Sequence, residues 1–324
     1  MEGTAIEVKN LQVDFLVEKQ RLTAIKNINF KLPKGKTLGI VGESGCGKSV
    51  TATTIMRLLP KETSEIVSGN IMLGEEDIVQ MSTEEMRKIR GDRISMIFQD
   101  PMTALNPVYK IGDQLIEILQ AHQNISKKDA FEYCVEMLEK VGIPSPRHRM
   151  KEYPHQLSGG MRQRVMIAMA LSTNPEILIA DEPTTALDVT IQAQVLELIA
   201  KLKNDFHTSI LFITHDMGVI ADIADYVMVM YAGEIVEYDT VTGLFEDPKH
   251  PYTYGLLKSI PRLDENVDRL YTIKGVVPSL SEMPEGCRFS TRCTECTEKC
   301  RNKKPPLTTL ASGKQVACWK YVEE

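Results

Sequence analysis

At 324 residues, 43% of them apolar and 25% charged, the chain can hold one large α/β domain with an appendage, and its balance is that of a protein with a real core rather than a disordered one. A formal net charge of −6 argues against a surface built to neutralise a long phosphate backbone, and so against nucleic acid as a partner. Met1 to Leu11 mixes Glu7, Lys9 and Asn10 among apolar positions and reads as no secretion leader. The longest apolar stretch, Val219 to Ala232, is broken by Asp222 and Asp225, so any membrane role is peripheral.

In chain order, Ile6 to Phe15 and Ala24 to Leu32 alternate around a charged turn at Glu18 to Arg21, which predicts an opening antiparallel hairpin. Thr37 to Val41 predicts a short strand leading through a Gly-rich turn into a helix over Ser49 to Leu59, stopping before Pro60. Apolar residues at helical spacing from Asp113 to Gly142 predict a mostly helical insert. A helix follows Ser158 as far as about Ser172, then a buried parallel-type strand at Glu176 to Ala180. A helix over Ile191 to Leu202 and a buried strand at Ser209 to Thr214 come next. Tyr226 to Tyr231 and Glu234 to Tyr238 straddle Ala232-Gly233, a hairpin signal. Periodicity ends near Gly243, prolines then become frequent, and a boundary is expected between Gly243 and Leu263.

Gly42-Glu43-Ser44-Gly45-Cys46-Gly47-Lys48-Ser49 satisfies the phosphate-loop pattern in the context it requires, between a strand and a helix. Glycines let backbone N–H groups turn inward around phosphate oxygens, and the helix N-terminus adds partial positive charge. Lys48 is expected on the β- and γ-phosphates and Ser49 on Mg²⁺, with Val50 completing the nucleotide-binding run. Cys46 reads as a small loop residue that would also make the site sensitive to alkylation. A second apolar strand ends in Asp181-Glu182, an arrangement that delivers one carboxylate to magnesium and the next to an attacking water. Two acids after an apolar run are more often a helix cap, but beside a phosphate loop they read as this pair.

Seven cysteines are present, and Cys287, Cys293, Cys296, Cys300 and Cys318 cluster near the C-terminus while Cys46 and Cys134 stand alone. Such a cluster suits zinc or an iron–sulfur group, and the short spacings Cys293-x-x-Cys296 and Cys296-x-x-x-Cys300 lean slightly towards structural zinc. The simplest role is a metal staple for an extension too small to bury enough apolar surface alone.

Leu157-Ser158-Gly159-Gly160-Met161-Arg162-Gln163-Arg164, ahead of the Asp181-Glu182 strand, resembles the signature of the ABC transporter ATPase family. Its physical logic is a second anion site, because Ser158 and the N–H groups of Gly159 and Gly160 open a helix. The resemblance implies an α/β fold: a P-loop NTPase (ABC ATPase) core with an antiparallel β subdomain, a helical insert, and a small Cys-rich C-terminal extension. Residues 1–250 would form the nucleotide-binding domain, with a helical subdomain over about 101–172, and 251–324 the extension. It implies that the Ser158 tip binds the γ-phosphate held by an opposite protomer, so that ATP joins two subunits. Gln99, Ala186-Leu187-Asp188 and His215 match further family elements. They imply Gln99 on magnesium or its water at the hinge to the helical insert, Asp188 on the dimer seam and His215 on the γ-phosphate. With Glu182 as base, Gln99 and His215 complete the implied catalytic set. Phe15 holds the position of an adenine-stacking aromatic, more often Tyr in the family, and a core role for it stays open.

A narrower resemblance rests on Gln99-Asp100-Pro101-Met102-Thr103-Ala104-Leu105-Asn106-Pro107, on His250-Pro251-Tyr252-Thr253 and on the cysteine tail. These resemble the ATPases of dipeptide and oligopeptide importers, a group with nickel-peptide relatives. The implied assembly is a second ABC ATPase subunit, as heterodimer or homodimer, with two membrane permeases at the cytoplasmic face and an extracellular peptide-binding protein that supplies cargo. The likeness also implies a [4Fe–4S] cluster on Cys287, Cys293, Cys300 and Cys318, with Zn²⁺ the alternative and Cys296 a departure that offers a substitute ligand. ABC ATPases devoted to DNA repair or translation would be expected to show a long coiled coil or two fused cassettes, and neither is visible.

Overall fold

The alternating segments at the start of the chain pair as expected. β1 (Thr4–Val17) and β2 (Gln20–Pro33) are joined by Glu18 and Lys19, both at positive φ, 49° and 67°, the backbone of a tight hairpin turn. The computed structural model describes residues 3–100, 104–185, 187–261 and 271–322. Pro101 to Thr103 of the importer-like motif, Ala186, and the Leu263 end of the expected boundary therefore lie outside the described residues.

The chain gathers into two compact units, one of Met1–Ala5, Pro33–Gly35 and Gln80–Leu211, the other of Ile6–Leu32, Lys36–Val79 and Phe212–Glu324. The second unit contains a four-stranded sheet in the order β2-β1-β4-β5, with β4 at Ser64–Leu73 and β5 at Glu76–Asp77. It also contains β3 (Thr37–Val41), fully buried as its apolar run predicts. The helix after the phosphate loop, Lys48–Ile55, ends a turn earlier than expected, because Arg57 turns left-handed at φ 49° and bonds the Ile78 carbonyl at 3.2 Å.

In the first unit, β6 (Ile94–Ile97) pairs in parallel with β7 (Ile177–Asp181), every residue of both buried. The helical insert appears as Ile111–His122 and Lys127–Lys140, which pack on each other, the second capped by Ser126. The helix Val189–Phe206 is longer than its periodicity, since Asp188 caps its start and left-handed His207, φ 53°, closes it. Among the elements that the periodicity did not announce are β4, β5, β6 and the helix Thr83–Ile89, whose Ser82–Glu85 capping box is nonetheless legible. Strand β8 (Ser209–Thr214) is buried throughout. Among the described residues no helix is long and apolar enough to cross a membrane.

The second unit continues past Gly243, where periodicity stops. β9 (Tyr226–Tyr231) runs parallel to β3 and antiparallel to β10 (Glu234–Thr240). Ala232 and Gly233, φ 47° and 82°, make the tight turn between them. Beyond β10, the sheet is extended by β12 (Gln315–Val316) and β11 (Thr308–Thr309). Tyr231 meets Tyr252 and Phe289 edge-on at 4.8 and 5.1 Å, and all three rings are buried. Burial pushes the Glu237 carboxyl up, opposed by the N–H groups of Lys249 and His250, 2.7 and 2.8 Å away, and by Lys314. Lys314 lies 3.7 Å from Glu237 and 3.3 Å from Asp239. The extension thus buries apolar surface against the core, and does not rely on a metal staple alone.

Phe289→Ala removes a ring from this cluster and should cost about 3–5 kcal/mol, seen as a lower urea midpoint for the whole second unit. Loss of structure confined to residues 251–322 would show instead that the extension is a separate module.

Candidate functional site

The phosphate loop is shaped by backbones that approach too closely for side chains. A Cβ on Gly42 would lie 2.3 Å from the Met230 carbonyl oxygen and 2.6 Å from the Cys46 sulfur. Gly42, Gly45 and Gly47 all hold positive φ, 154°, 78° and 103°, which glycine adopts without strain. Gly45 faces open space, while Ser44 and Ser49 are exposed and Val50 is half-buried. Lys48 is only 5% exposed. Its Nζ donates to the carbonyls of Gly42 at 2.7 Å and Glu43 at 3.2 Å.

Cys46 is fully buried and burial pushes its thiol up. The expected sensitivity to alkylation is therefore overturned: the thiolate, the reactive form, is disfavoured and shielded. Glu43 holds two groups that no motif announces. Its N–H donates to the Tyr252 hydroxyl at 2.8 Å, and its carboxylate takes two bonds from Arg292, at 2.6 and 3.0 Å. Phe15 is half-buried and lines an open cavity of about 350 Å³ with Arg21 and Lys61, so it is not a core residue. His215, exposed, follows the last residue of β8.

The acidic pair belongs to the first unit. Asp181 is 5% exposed at the end of β7. Glu182 turns left-handed at φ 47°, a strained conformation for a non-glycine residue of the kind that collects at functional sites. Its Oε2 accepts from Gln99 Nε2 at 3.1 Å and from Thr185 Oγ1 at 2.9 Å, which aims the carboxylate. Gln99 is thus brought beside Glu182, and Thr185 is a partner that sequence reading missed.

Ser158 caps the helix Gly159–Leu171 by accepting from the Met161 N–H at 3.3 Å. Gly159 is exposed with open space beside it, and a Cβ on Gly160 would come within 3.2 Å of Ile191. Buried Gln163 donates to the Pro183 carbonyl at 2.5 Å, tying this helix to the acidic turn. Asp188 accepts from Ile191 N–H at 2.9 Å as the cap of the next helix and is itself exposed.

Cys287, Cys293, Cys300 and Cys318 line one cavity of about 280 Å³ together with His250 and Trp319. Cys296 is not among the lining residues, and its thiol bonds the Thr297 carbonyl at 3.5 Å. Burial pushes Cys287 up to about 12 and Cys293 to about 11, and neighbouring thiols add to both shifts. Burial likewise pushes His250 down to about 3, so it stays neutral; its Nδ1 accepts from Tyr252 N–H at 3.1 Å. Among the described residues no three His, Cys, Asp or Glu side chains are placed to hold one metal ion.

Comparison with known proteins places these features in a family. Residues 25–185 match the ABC transporter model, and residues 236–300 match the C-terminal region of oligopeptide/dipeptide transporters. The chain is 52% identical over 322 residues to the oligopeptide transport ATP-binding protein AppD of Bacillus subtilis, covering 99% of this chain and 98% of that protein. It is 50% identical to OppD of Escherichia coli, covering 98% and 94%. Among solved structures, the ATP-binding cassette MJ0796, a dimer bound to ADP and Pi, superposes with a TM-score of 0.66 at 26% identity, covering 73% of this chain and 98% of that one. A nucleotide cradle, an aimed carboxylate and likeness along almost the whole length agree: the chain belongs to the ABC transporter ATP-binding family and is an ATPase that binds ATP and Mg²⁺.

Proposed function

We propose that the chain is the ATP-hydrolysing subunit that powers import of di- and oligopeptides. The observation that carries this reading is that likeness to oligopeptide transport ATP-binding proteins runs through the extension as well as the cassette, over 99% of the chain. A cassette alone says nothing of cargo. In this reading residues 1–250 are the nucleotide-binding domain, with the helical subdomain over about 101–172, and 251–324 are the extension. The chain acts peripherally at the cytoplasmic face, with a second ATPase subunit, two permeases and an extracellular binding protein.

Lys48 and the N–H groups of Gly45 to Ser49 hold the β- and γ-phosphates. The Ser49 hydroxyl and the Asp181 carboxylate, with Gln99, are hard oxygen donors of the kind Mg²⁺ takes. Bound Mg²⁺ neutralises charge developing on the phosphate oxygens. Glu182, held by Gln99 and Thr185, accepts the proton of the attacking water. His215 contacts the γ-phosphate, and Phe15 stacks on adenine, as its position beside an open cavity supports. Ser158, Gly159 and Gly160, with Asp188, complete the site of a second cassette, so that ATP closes the pair and hydrolysis reopens it.

The cysteine cavity is read as a [4Fe–4S] site on Cys287, Cys293, Cys300 and Cys318. A single zinc with Zn–S bonds of about 2.3 Å needs sulfurs only about 3.8 Å apart. The support for the cluster reading is that these four thiols, and not Cys296, line a shared cavity. The raised pKa values of Cys287 and Cys293 mean that loading releases protons, and so improves as pH rises.

Cells lacking this chain should lose uptake of labelled oligopeptide while nickel uptake is unchanged; the reverse pattern would assign the nickel-importing alternative. Glu182→Gln should lower phosphate release by about a hundred-fold or more and accumulate an ATP-loaded dimer in size-exclusion runs. Parent-like turnover would remove Glu182 as the base. Anaerobically purified protein should carry iron and acid-labile sulfide, and chelation should raise emission from Trp319, the one tryptophan, which lines the cavity. Zinc without iron would turn the assignment to zinc.

A further inference from the structure

We propose that Arg292, carried by the cysteine-rich segment, is a positioning residue of the phosphate loop, fixing Glu43 and neutralising its carboxylate so that the loop accepts a triphosphate. This rests on the reading that Gly42 to Ser49 bind ATP.

The Arg292 side chain is 4% exposed and that of Glu43 is 30% exposed, so the pair is shielded on the arginine side. Both terminal nitrogens bind the carboxylate, the two-pronged geometry that gives direction as well as attraction. The remaining donors are engaged too. Nε bonds the Lys274 carbonyl at 3.1 Å and Nη2 the Ile273 carbonyl at 3.3 Å. The guanidinium also lies 5.7 Å from the centre of the Tyr231 ring. A guanidinium held on every side cannot swing away, so Glu43 is tied to a rigid post.

Glu43 passes that constraint to the lysine. Its carbonyl accepts from Lys48 Nζ at 3.2 Å and from the Cys46 N–H at 3.3 Å, while its own N–H is held by Tyr252. Position of the Arg292 fork therefore becomes position of the Glu43 peptide, and of the ammonium resting on it. Charge points the same way. A carboxylate second in a phosphate loop repels a polyphosphate, and Arg292 cancels it without touching the nucleotide. Arg288 braces the neighbouring hairpin in parallel, donating to the Ala232 carbonyl, next to the Gly233 N–H that bonds Cys46 O at 2.8 Å.

The test is a mutant cycle in the full-length chain, reading ATP Kd, KM, kcat and nucleotide-free thermal unfolding. Arg292→Met should raise ATP Kd and KM by about ten-fold or more, with kcat changed by less than about three-fold. In a Glu43→Gln background, removing Arg292 should change Kd by less than about two-fold, since Arg292 acts only through that carboxylate. A purely structural brace would lower the melting temperature equally in both backgrounds and leave affinity of the folded protein unchanged, which overturns the proposal. Should Arg292→Met not fold, Arg292→Lys keeps the charge but loses the fork and must still weaken ATP binding; parent-like affinity there also overturns it. Lys48→Ala serves as the control for the underlying reading: if it binds ATP normally, the loop is not the ATP site, whatever the Arg292 variants do.

Discussion

At the tip of the hairpin between β9 and β10 three backbones meet with no room for a Cβ. One added to Gly233 would fall 1.9 Å from the Ala24 carbonyl oxygen, and one on Gly42 would strike both Met230 O and the Cys46 sulfur. Gly233 in turn donates to Cys46 O and accepts from Lys26 N–H. The phosphate loop is therefore moulded by the hairpin behind it. Cys46 is small, buried and protonated for the same reason: its side chain fills the space the crossing leaves.

The extension meets this core through opposite charges in which the acid comes from the core and the base from the tail. Glu237 faces Lys314, Glu234 faces Arg288 at 3.1 Å and Lys304 at 2.8 Å, and Glu43 faces Arg292. Buried pairs of this kind add little net stability over an apolar contact, yet breaking one strands a charge away from water. They act as address labels: a tail that docked in another register would leave several carboxylates uncompensated. The aromatic cluster of Tyr231, Tyr252 and Phe289 supplies the apolar attraction, and the ion pairs select its placement.

The acidic turn is built on a different plan. Glu182 sits in strained backbone and its carboxylate accepts from an amide and a hydroxyl. Neutral donors orient a carboxylate while leaving its charge available to a proton. Gln163, reaching from the signature helix to the Pro183 carbonyl, ties that turn to the helix.

What could be read from residue order alone was what is local. The phosphate loop, the strand–turn–helix around it, both tight hairpins and the apolar strands follow from glycine freedom, side-chain period and turn chemistry over a few residues. β6 was missed because its four residues, three of them apolar, are too few to carry a period, and the helix after the loop was overextended because a left-handed Arg57 leaves no trace in composition. Which four of five tail cysteines share a cavity, and that Cys296 points elsewhere, was decided by folding. So was the partnership of Glu43 and Arg292, 249 residues apart, since the attraction between them acts only once the tail has docked on the aromatic cluster. Short-range geometry is written into neighbouring residues; long-range charge pairing exists only when the chain brings the partners out of water together.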